Sequence, residues 1–259
     1  MCLAAIIPGA GCEAHDEAEP IVFRNYERQR FYVADDPDGG TWINNGLADP
    51  DVTGVDPAHA LSSNAGLDPE GELLADEGNH TLVRYLTECA LPKNTSITKV
   101  VDGEPITFAG RVGLAPEWED EPCDQDCQEW VSACLLARTN VSGQSVELWL
   151  RADHPAIGSS KSLSFPTYEA SFFGNLFAPD GGRYICRGSL VNDVVAFLDG
   201  RTCGNEIGAD CGFTAFDDCW LVPRCDYEGL LFPMASNCEA PGDAAQHTIT
   251  SYVHAIVDL

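Results

Sequence analysis

Cysteine content constrains this fold more than any other feature of the sequence. Of twelve cysteines, ten lie between residues 89 and 238: Cys89, Cys123, Cys127, Cys134, Cys186, Cys203, Cys211, Cys219, Cys225 and Cys238. The chain contains no CxxC pair, no zinc-finger spacing and no CxxCH haem motif. Cysteine at this density is typical of an oxidising compartment. The sequence therefore predicts a disulfide-rich protein that is extracellular, periplasmic or on the outer cell surface.

The segment 122–140 predicts a helix that carries cysteines on its buried face. Its apolar side chains recur at i, i+4, i+7 and i+8, the spacing of one helix face: Cys127, Val131, Cys134 and Leu135. Asp124 or Asp126 can cap the first turn, because either carboxylate can accept hydrogen bonds from its free N–H groups. The helix is expected to end near Asn140.

A second helix is predicted after Asn79, with its own buried cysteine. Its apolar stripe consists of Leu82, Val83, Leu86, Cys89 and Ala90, and the helix ends before Pro92. Since both stripes carry a cysteine, we expect a disulfide from Cys89 to the other helix, at Cys134 in preference to Cys127. Cys186 is expected to pair with one of the cysteines of the segment 203–238.

Strand patterns complete the predicted fold. Ser96–Val101 and Pro105–Gly110 flank Asp102-Gly103, a pair that suits the two positive-φ positions of a tight hairpin turn. In Val146–Arg151 the apolar and polar positions alternate, so Trp149 and Arg151 are expected to face outward. The predicted fold class is α+β, with two helices packed on a small, mostly antiparallel sheet. The segment 203–238 is expected to be a loop-rich region held by disulfides, and 247–257 a closing strand.

The chain is predicted to have three parts. Residues 1–12 resemble the end of an export signal, and Cys12 is the candidate for lipidation; a truncated signal peptide or a merely apolar N-terminus are the alternatives. Residues 13–78 form an acidic, turn-rich tether with four Asp-Pro steps. Residues 79–259 form the disulfide-rich globular domain. No run of about 18 apolar residues occurs, so no transmembrane helix is expected.

The charge balance restricts the partners. The formal net charge of −27 arises from 41 acidic and 14 basic residues. Such a field repels nucleic acids and anionic membrane surfaces, so binding to nucleic acid is excluded. It favours cations and basic partners instead.

The turn-rich segment contains a candidate calcium loop. Asp49, Asp51, Thr53 and Asp56 present oxygen atoms at alternating positions around Gly54. The acidic residue that closes an EF-hand loop is absent, since residue 60 is Ala60. Calcium is the only cofactor that the sequence suggests, and a turn-rich linker explains the same residues.

Two residues are candidates for catalysis. Glu169 lies among aromatic residues in YEASFFGNLF (168–177), where a carboxyl pKa can be raised for general-acid work, as in glycosidases. His154 lies in a loop after a strand. Neither residue has an identifiable catalytic partner, so a solvent-facing glutamate and a surface histidine are the simpler interpretations.

Five segments resemble a family of uncharacterised, cysteine-rich exported proteins from myxobacterial genomes. They are RYLTECALP (84–92), GLAPEW (113–118), CQEWVSACLLARTN (127–140), EASFFGNLF (169–177) and YICRG (184–188). The resemblance covers about residues 75–259 and implies export and a single disulfide-linked domain. It implies no activity and no catalytic residue.

The sequence thus favours an exported or surface-anchored protein that binds a protein or glycan ligand, or has a structural role, rather than an enzyme. One alternative is an extracellular hydrolase of the glycoside or cell-wall class that uses Glu169 as its general acid. A calcium-stabilised adhesion module is the other.

Overall fold

The computed structural model describes residues 41–140, 145–179, 181–188, 212–221, 224–229 and 233–254. The predicted export signal, Cys12, the first part of the predicted tether, Cys203 and Cys211 lie outside these residues. Within them, no helix has the length and apolar character needed to cross a bilayer.

The described elements are three helices, two short 3₁₀ turns and ten strands. The helices are α1 (Glu72–Ala75), α2 (His80–Ala90) and α3 (Gln125–Ala137), and the 3₁₀ turns are Glu77–Asn79 and Pro116–Glu119. The first five strands are β1 (Thr41–Asn44), β2 (Ser96–Val101), β3 (Glu104–Ala109), β4 (Glu147–Arg151) and β5 (Thr167–Gly174). The others are β6 (Arg183–Arg187), β7 (Thr214–Asp218), β8 (Arg224–Glu228), β9 (Met234–Glu239) and β10 (Thr248–Val253).

A six-stranded sheet organises the described part of the chain, in the order β1-β4-β10-β5-β6-β7. Its neighbouring strands are antiparallel except for the β6–β7 pair. The C-terminal strand β10 lies in the middle, between β4 and β5, and all of its residues are buried. The prediction of a mixed, mostly antiparallel fold with a strand near the C-terminus is confirmed.

One face of the sheet carries the helices. Asp124 is the N-cap of α3, and its Oδ1 accepts a hydrogen bond from the backbone N–H of Cys127 at 3.1 Å. The helix packs on β5 and β10, and α2 packs against α3. The Cys89–Cys134 disulfide joins the two helices with a Cα–Cα distance of 6.0 Å. This is the pairing that the two buried stripes predict.

The other face of the sheet is also covered, which the alternation in β4 does not predict. Trp149 and Arg151 were expected to face solvent, but each is only 4% exposed. Trp149 lies in a second, aromatic core that includes Ala235 and Cys238 of the β8–β9 hairpin. The guanidinium of Arg151 donates to the carbonyl of Ser159 at 2.7 Å and to the hydroxyl of Tyr252 at 3.2 Å, and Tyr252 belongs to the same core. The sheet is therefore the middle of three layers.

The β2–β3 hairpin confirms the turn prediction. Asp102 has φ 51° and Gly103 has φ 84°, so both central residues take positive φ. Glycine takes this conformation without strain, and aspartate is among the side chains that tolerate it best.

Residues 41–78, predicted to be a tether, instead belong to the folded core. β1 pairs with β4 at the edge of the sheet, and Leu61 and Leu67 are fully buried. The backbone N–H of Cys123 donates to the carbonyl of Pro57 at 2.8 Å, which ties the segment to the start of α3. The prediction failed because these apolar residues are spaced irregularly between tight turns, so they produce neither a helical nor a strand period.

The described part of the segment 203–238 is also more regular than expected. It contains β7, β8 and β9 where loops were predicted, because short, half-polar strands leave little periodicity. Disulfides join Cys186 to Cys219 and Cys225 to Cys238. With Cys89–Cys134 and a bridge from Cys123 to Cys127, the described residues contain four disulfides. The pairing of Cys186 with this segment agrees with the expectation.

Candidate binding site on the acidic face

Two open clefts flank the short helix α1. The first has a volume of about 760 Å³ and is lined by Asn64, Asp68, Pro69, Glu70, Ala75, Val100, Val101, Asp102 and Gly103. The second has a volume of about 380 Å³ and is lined by Leu47, Ala48, Asp49, Asp51, Thr53, Glu72, Leu73, Gly78, Asn79, Thr81 and Leu82. Residues 70–75 supply walls to both clefts, so α1 forms the ridge between them.

Both clefts combine exposed carboxylates with apolar surface. Every carboxylate in their linings is solvent-exposed: Asp68, Glu70 and Asp102 in the first cleft, and Asp49, Asp51 and Glu72 in the second. The second cleft also has buried leucines in its wall, Leu47, Leu73 and Leu82. Such a surface suits a ligand that carries a positive charge on an apolar stem.

Two carboxylates of the second cleft, Asp49 and Asp51, accept hydrogen bonds within short-range turns. Asp49 Oδ1 accepts from the backbone N–H of Asp51 at 3.1 Å, and Asp51 Oδ1 accepts from the backbone N–H and the hydroxyl of Thr53 at 3.0 and 2.7 Å. The Thr53 hydroxyl and N–H lower the pKa of Asp51, so this carboxylate stays ionised into mildly acidic conditions.

The four candidate calcium ligands do not gather around one point in this structure. Asp56 accepts from the backbone N–H of Ala58 at 2.9 Å and contacts His59 Nδ1 at 3.0 Å, while Asp49 contacts the guanidinium of Arg183 at 3.4 Å. Within the described residues, the one set of three Cys, His, Asp or Glu ligand atoms lying mutually within 4.8 Å consists of cysteine sulfurs. The Asp-rich segment thus forms successive turns, and calcium binding stays a prediction.

A buried lysine lies behind the first cleft. Lys99 is 2% exposed, and its Nζ donates to the carbonyls of Ser62 and Ser63 at 3.0 and 2.6 Å. Removal from water lowers its pKa to about 8, and Asp68 partly opposes the shift. The ammonium group therefore fixes the loop that precedes Asp68, at a cost in desolvation.

This burial predicts a pH dependence that Lys99→Met should abolish. Below pH 8 the amine is charged in both the folded and the unfolded chain, so the desolvation cost is complete. Between pH 8 and the ordinary lysine pKa of 10.5, the unfolded chain binds more protons, and stability rises with pH. We expect urea unfolding to show that, between pH 7 and pH 10, the free energy of unfolding of wild type rises relative to that of the variant by at most about 3 kcal/mol. If the difference in the free energy of unfolding between wild type and variant is the same at both pH values, the lowered pKa of Lys99 is contradicted.

Glu169 is placed inside the sheet instead of in either of these clefts. It is 1% exposed, so the expectation that it faces solvent is wrong, and its Oε2 accepts from the hydroxyl of Ser251 at 2.7 Å. A general acid must reach its substrate. This geometry therefore gives Glu169 a structural role between β5 and β10, and the described conformation does not favour catalysis by this residue.

His154 is part of an aromatic cluster at the start of α3. The indole of Trp130 contacts the His154 ring at 4.8 Å between centroids and stacks on His247 at 4.2 Å. Burial is the main cause that lowers the pKa of His154, and His247 adds to the shift while Asp126 opposes it. His247 Nε2 lies 2.5 Å from Asp126 Oδ1. The cluster ties the start of β10 to α3, and it leaves His154 neutral near pH 7.

Comparison with family models, curated proteins and solved structures finds no match for this chain. The functional argument therefore depends on the geometry and charge of the clefts alone.

Sequence reasoning missed four of the six cleft carboxylates. Asp68, Glu70 and Glu72 belong to the segment that is predicted to be an acidic, turn-rich tether. Asp102 was recognised only as a turn residue. The available signal was the density of acids in a segment with buried leucines, but which acids share a cleft depends on contacts between distant parts of the chain.

Proposed function

We propose that this protein is an exported binding protein that takes cationic ligands, basic peptide segments above all, on the acidic clefts beside α1. The observation that supports this proposal most is that both clefts share the α1 ridge and carry three exposed carboxylates each. The disulfides of the described residues are compatible with the oxidising environment that export provides.

Electrostatics favour a cationic ligand over a neutral or anionic one. The chain carries a formal charge of −27, so its field raises the local concentration of cations and speeds their association. The one described cation that pairs with a cleft carboxylate is Arg183, which contacts Asp49. Among the residues that the structure describes, no other carboxylate of the clefts has an ion-pair partner.

The apolar walls favour a peptide over a simple metal ion. Lysine and arginine side chains have long aliphatic stems below their charged ends, and these stems pack well on leucine and valine. Leu73 and Leu82 offer such a surface in the second cleft, and Val100, 59% exposed, offers it in the first. A peptide in which basic and apolar residues alternate would satisfy both features of the surface.

The proposal is tested with a labelled hexapeptide of alternating lysine and leucine, whose binding is followed by fluorescence anisotropy. The triple variant Glu70→Gln, Glu72→Gln and Asp102→Asn removes charge from both clefts. Asparagine at residue 102 keeps the positive φ that the turn requires. We expect at least about a tenfold loss of affinity, which is about 1.4 kcal/mol. Binding should also weaken as salt rises, because exposed charges are screened.

A matched control removes the same charge elsewhere. Asp153→Asn, Glu228→Gln and Glu239→Gln are exposed positions that line neither of these clefts. This control variant should bind the peptide almost as well as wild type does. Equal losses in both variants would show that the peptide responds to net charge alone, and the clefts would then not be the site.

A further inference from the structure

Two disulfides meet in the aromatic core on the far side of the sheet from the helices. Cys186 on β6 is joined to Cys219, which follows β7, and Cys225 on β8 is joined to Cys238 on β9. The sulfur atoms of Cys186, Cys219 and Cys225 all lie within 4.8 Å of one another. The Cys225 sulfur of the second bridge therefore lies within 4.8 Å of both sulfurs of the first bridge.

The sulfurs differ in their access to solvent. Cys186, Cys219 and Cys238 are fully buried, whereas Cys225 is partly exposed. Thiol–disulfide exchange requires a thiolate to reach the sulfur that it attacks. An incoming thiol reagent should therefore react first at Cys225.

Cys219 is the better leaving group of the buried bridge. The hydroxyl of Tyr168 donates a hydrogen bond to Cys219 Sγ at 3.4 Å. This bond strengthens when the sulfur becomes a thiolate, because hydrogen bonds to charged acceptors are stronger than those to neutral ones. Attack on Cys186 with release of Cys219 is thus favoured over the reverse.

We propose that these two bridges form a thiol–disulfide exchange centre, in which Cys225 reacts with an external dithiol and then attacks Cys186. In the first step, the dithiol breaks the Cys225–Cys238 bond, leaves both cysteines reduced and departs as a cyclic disulfide. In the second step, the Cys225 thiolate attacks Cys186 Sγ, and the electron pair of the old bond leaves with Cys219. One dithiol is oxidised, and the protein holds one new bridge and two thiols.

The exchange changes which elements are covalently linked. In the described bridges, one disulfide lies within the sheet and the other within the β8–β9 hairpin. The hairpin is held on β10 by non-covalent contacts, such as the hydrogen bond from Cys238 N–H to the Thr248 hydroxyl at 3.1 Å. A Cys186–Cys225 bridge would fasten the hairpin to the sheet.

The test treats the full chain with about one equivalent of dithiothreitol, followed by acid quenching, alkylation, digestion and mass spectrometry. We expect a peptide that links Cys186 to Cys225, with alkylated Cys219 and Cys238. Alkylation of Cys225 and Cys238 with an intact Cys186–Cys219 bridge would overturn the proposal. A Cys219–Cys225 peptide would overturn the assignment of Cys219 as the leaving group.

The double variant Cys225→Ser, Cys238→Ser provides the control, with near-ultraviolet circular dichroism to verify its fold. It lacks the accessible sulfur, so its Cys186–Cys219 bridge should be reduced at least about tenfold more slowly than in wild type. An equal rate in a folded variant would show that the reagent reaches the buried bridge directly, and the exchange centre would be refuted. If the variant does not fold, the mapping of the wild-type chain decides the question.

Discussion

A fragment that begins at Asn79 should fail to fold, whereas a fragment that begins at Thr41 should keep the described core. The shorter fragment loses β1, which pairs with β4, and seven core side chains: Ile43, Leu47, Val52, Leu61, Leu67, Leu73 and Leu74. Burying one such side chain stabilises a fold by roughly 1.5–3 kcal/mol. Their combined loss rivals the whole stability of an ordinary domain, about 5–15 kcal/mol.

Circular dichroism and urea unfolding of the two fragments measure this difference. The fragment from Asn79 should lack a cooperative transition, and the fragment from Thr41 should retain one. Limited proteolysis of the full chain gives a second readout, because residues 41–78 should be protected. A cooperative transition in the shorter fragment would show that the segment is dispensable for the core, as the tether interpretation requires.

Local sequence patterns predicted the elements whose structure depends on residues close to them in the sequence. The stripes of α2 and α3 each place a cysteine on a buried face, and the Cys89–Cys134 bridge follows from those stripes. Asp102-Gly103 predicts its hairpin because the turn requires positive φ at both residues. In these cases the physical cause lies within about a dozen residues.

Features that depend on distant contacts could not be predicted in this way. Trp149 is buried in an aromatic core that also contains Ala235 and Cys238 of the β8–β9 hairpin, far along the chain. Glu169 looked like a candidate acid among aromatic residues, but its burial depends on its pairing with β10. The cleft carboxylates could not be told apart from the other acids, because a cleft is defined by which surfaces meet.

Arg138, which no sequence pattern singled out, is expected to be one of the most sensitive positions in the core. It is 2% exposed, its Nε donates to the carbonyl of Asn44 at 3.1 Å, and its guanidinium lies 3.9 Å from the Tyr85 ring centroid. Its NH2 group pairs with Glu88 at 2.5 Å. Through these contacts one side chain joins α2, β1 and the end of α3.

Replacement by methionine, Arg138→Met, should lower the free energy of unfolding by about 3–5 kcal/mol, because it leaves the partly buried Glu88 without its cation. The double variant Arg138→Met, Glu88→Met should recover part of this loss, since no uncompensated charge remains. Urea unfolding of wild type, Arg138→Met, Glu88→Met and the double variant gives the coupling energy between the two residues. For residues in contact, this energy is about 0.5–3 kcal/mol. Glu88→Gln is the milder control, because its amide oxygen can still accept from the guanidinium. If Arg138→Met costs less than about 1 kcal/mol, or if the two changes are additive, then packing around Tyr85, and not the ion pair, holds these three elements together.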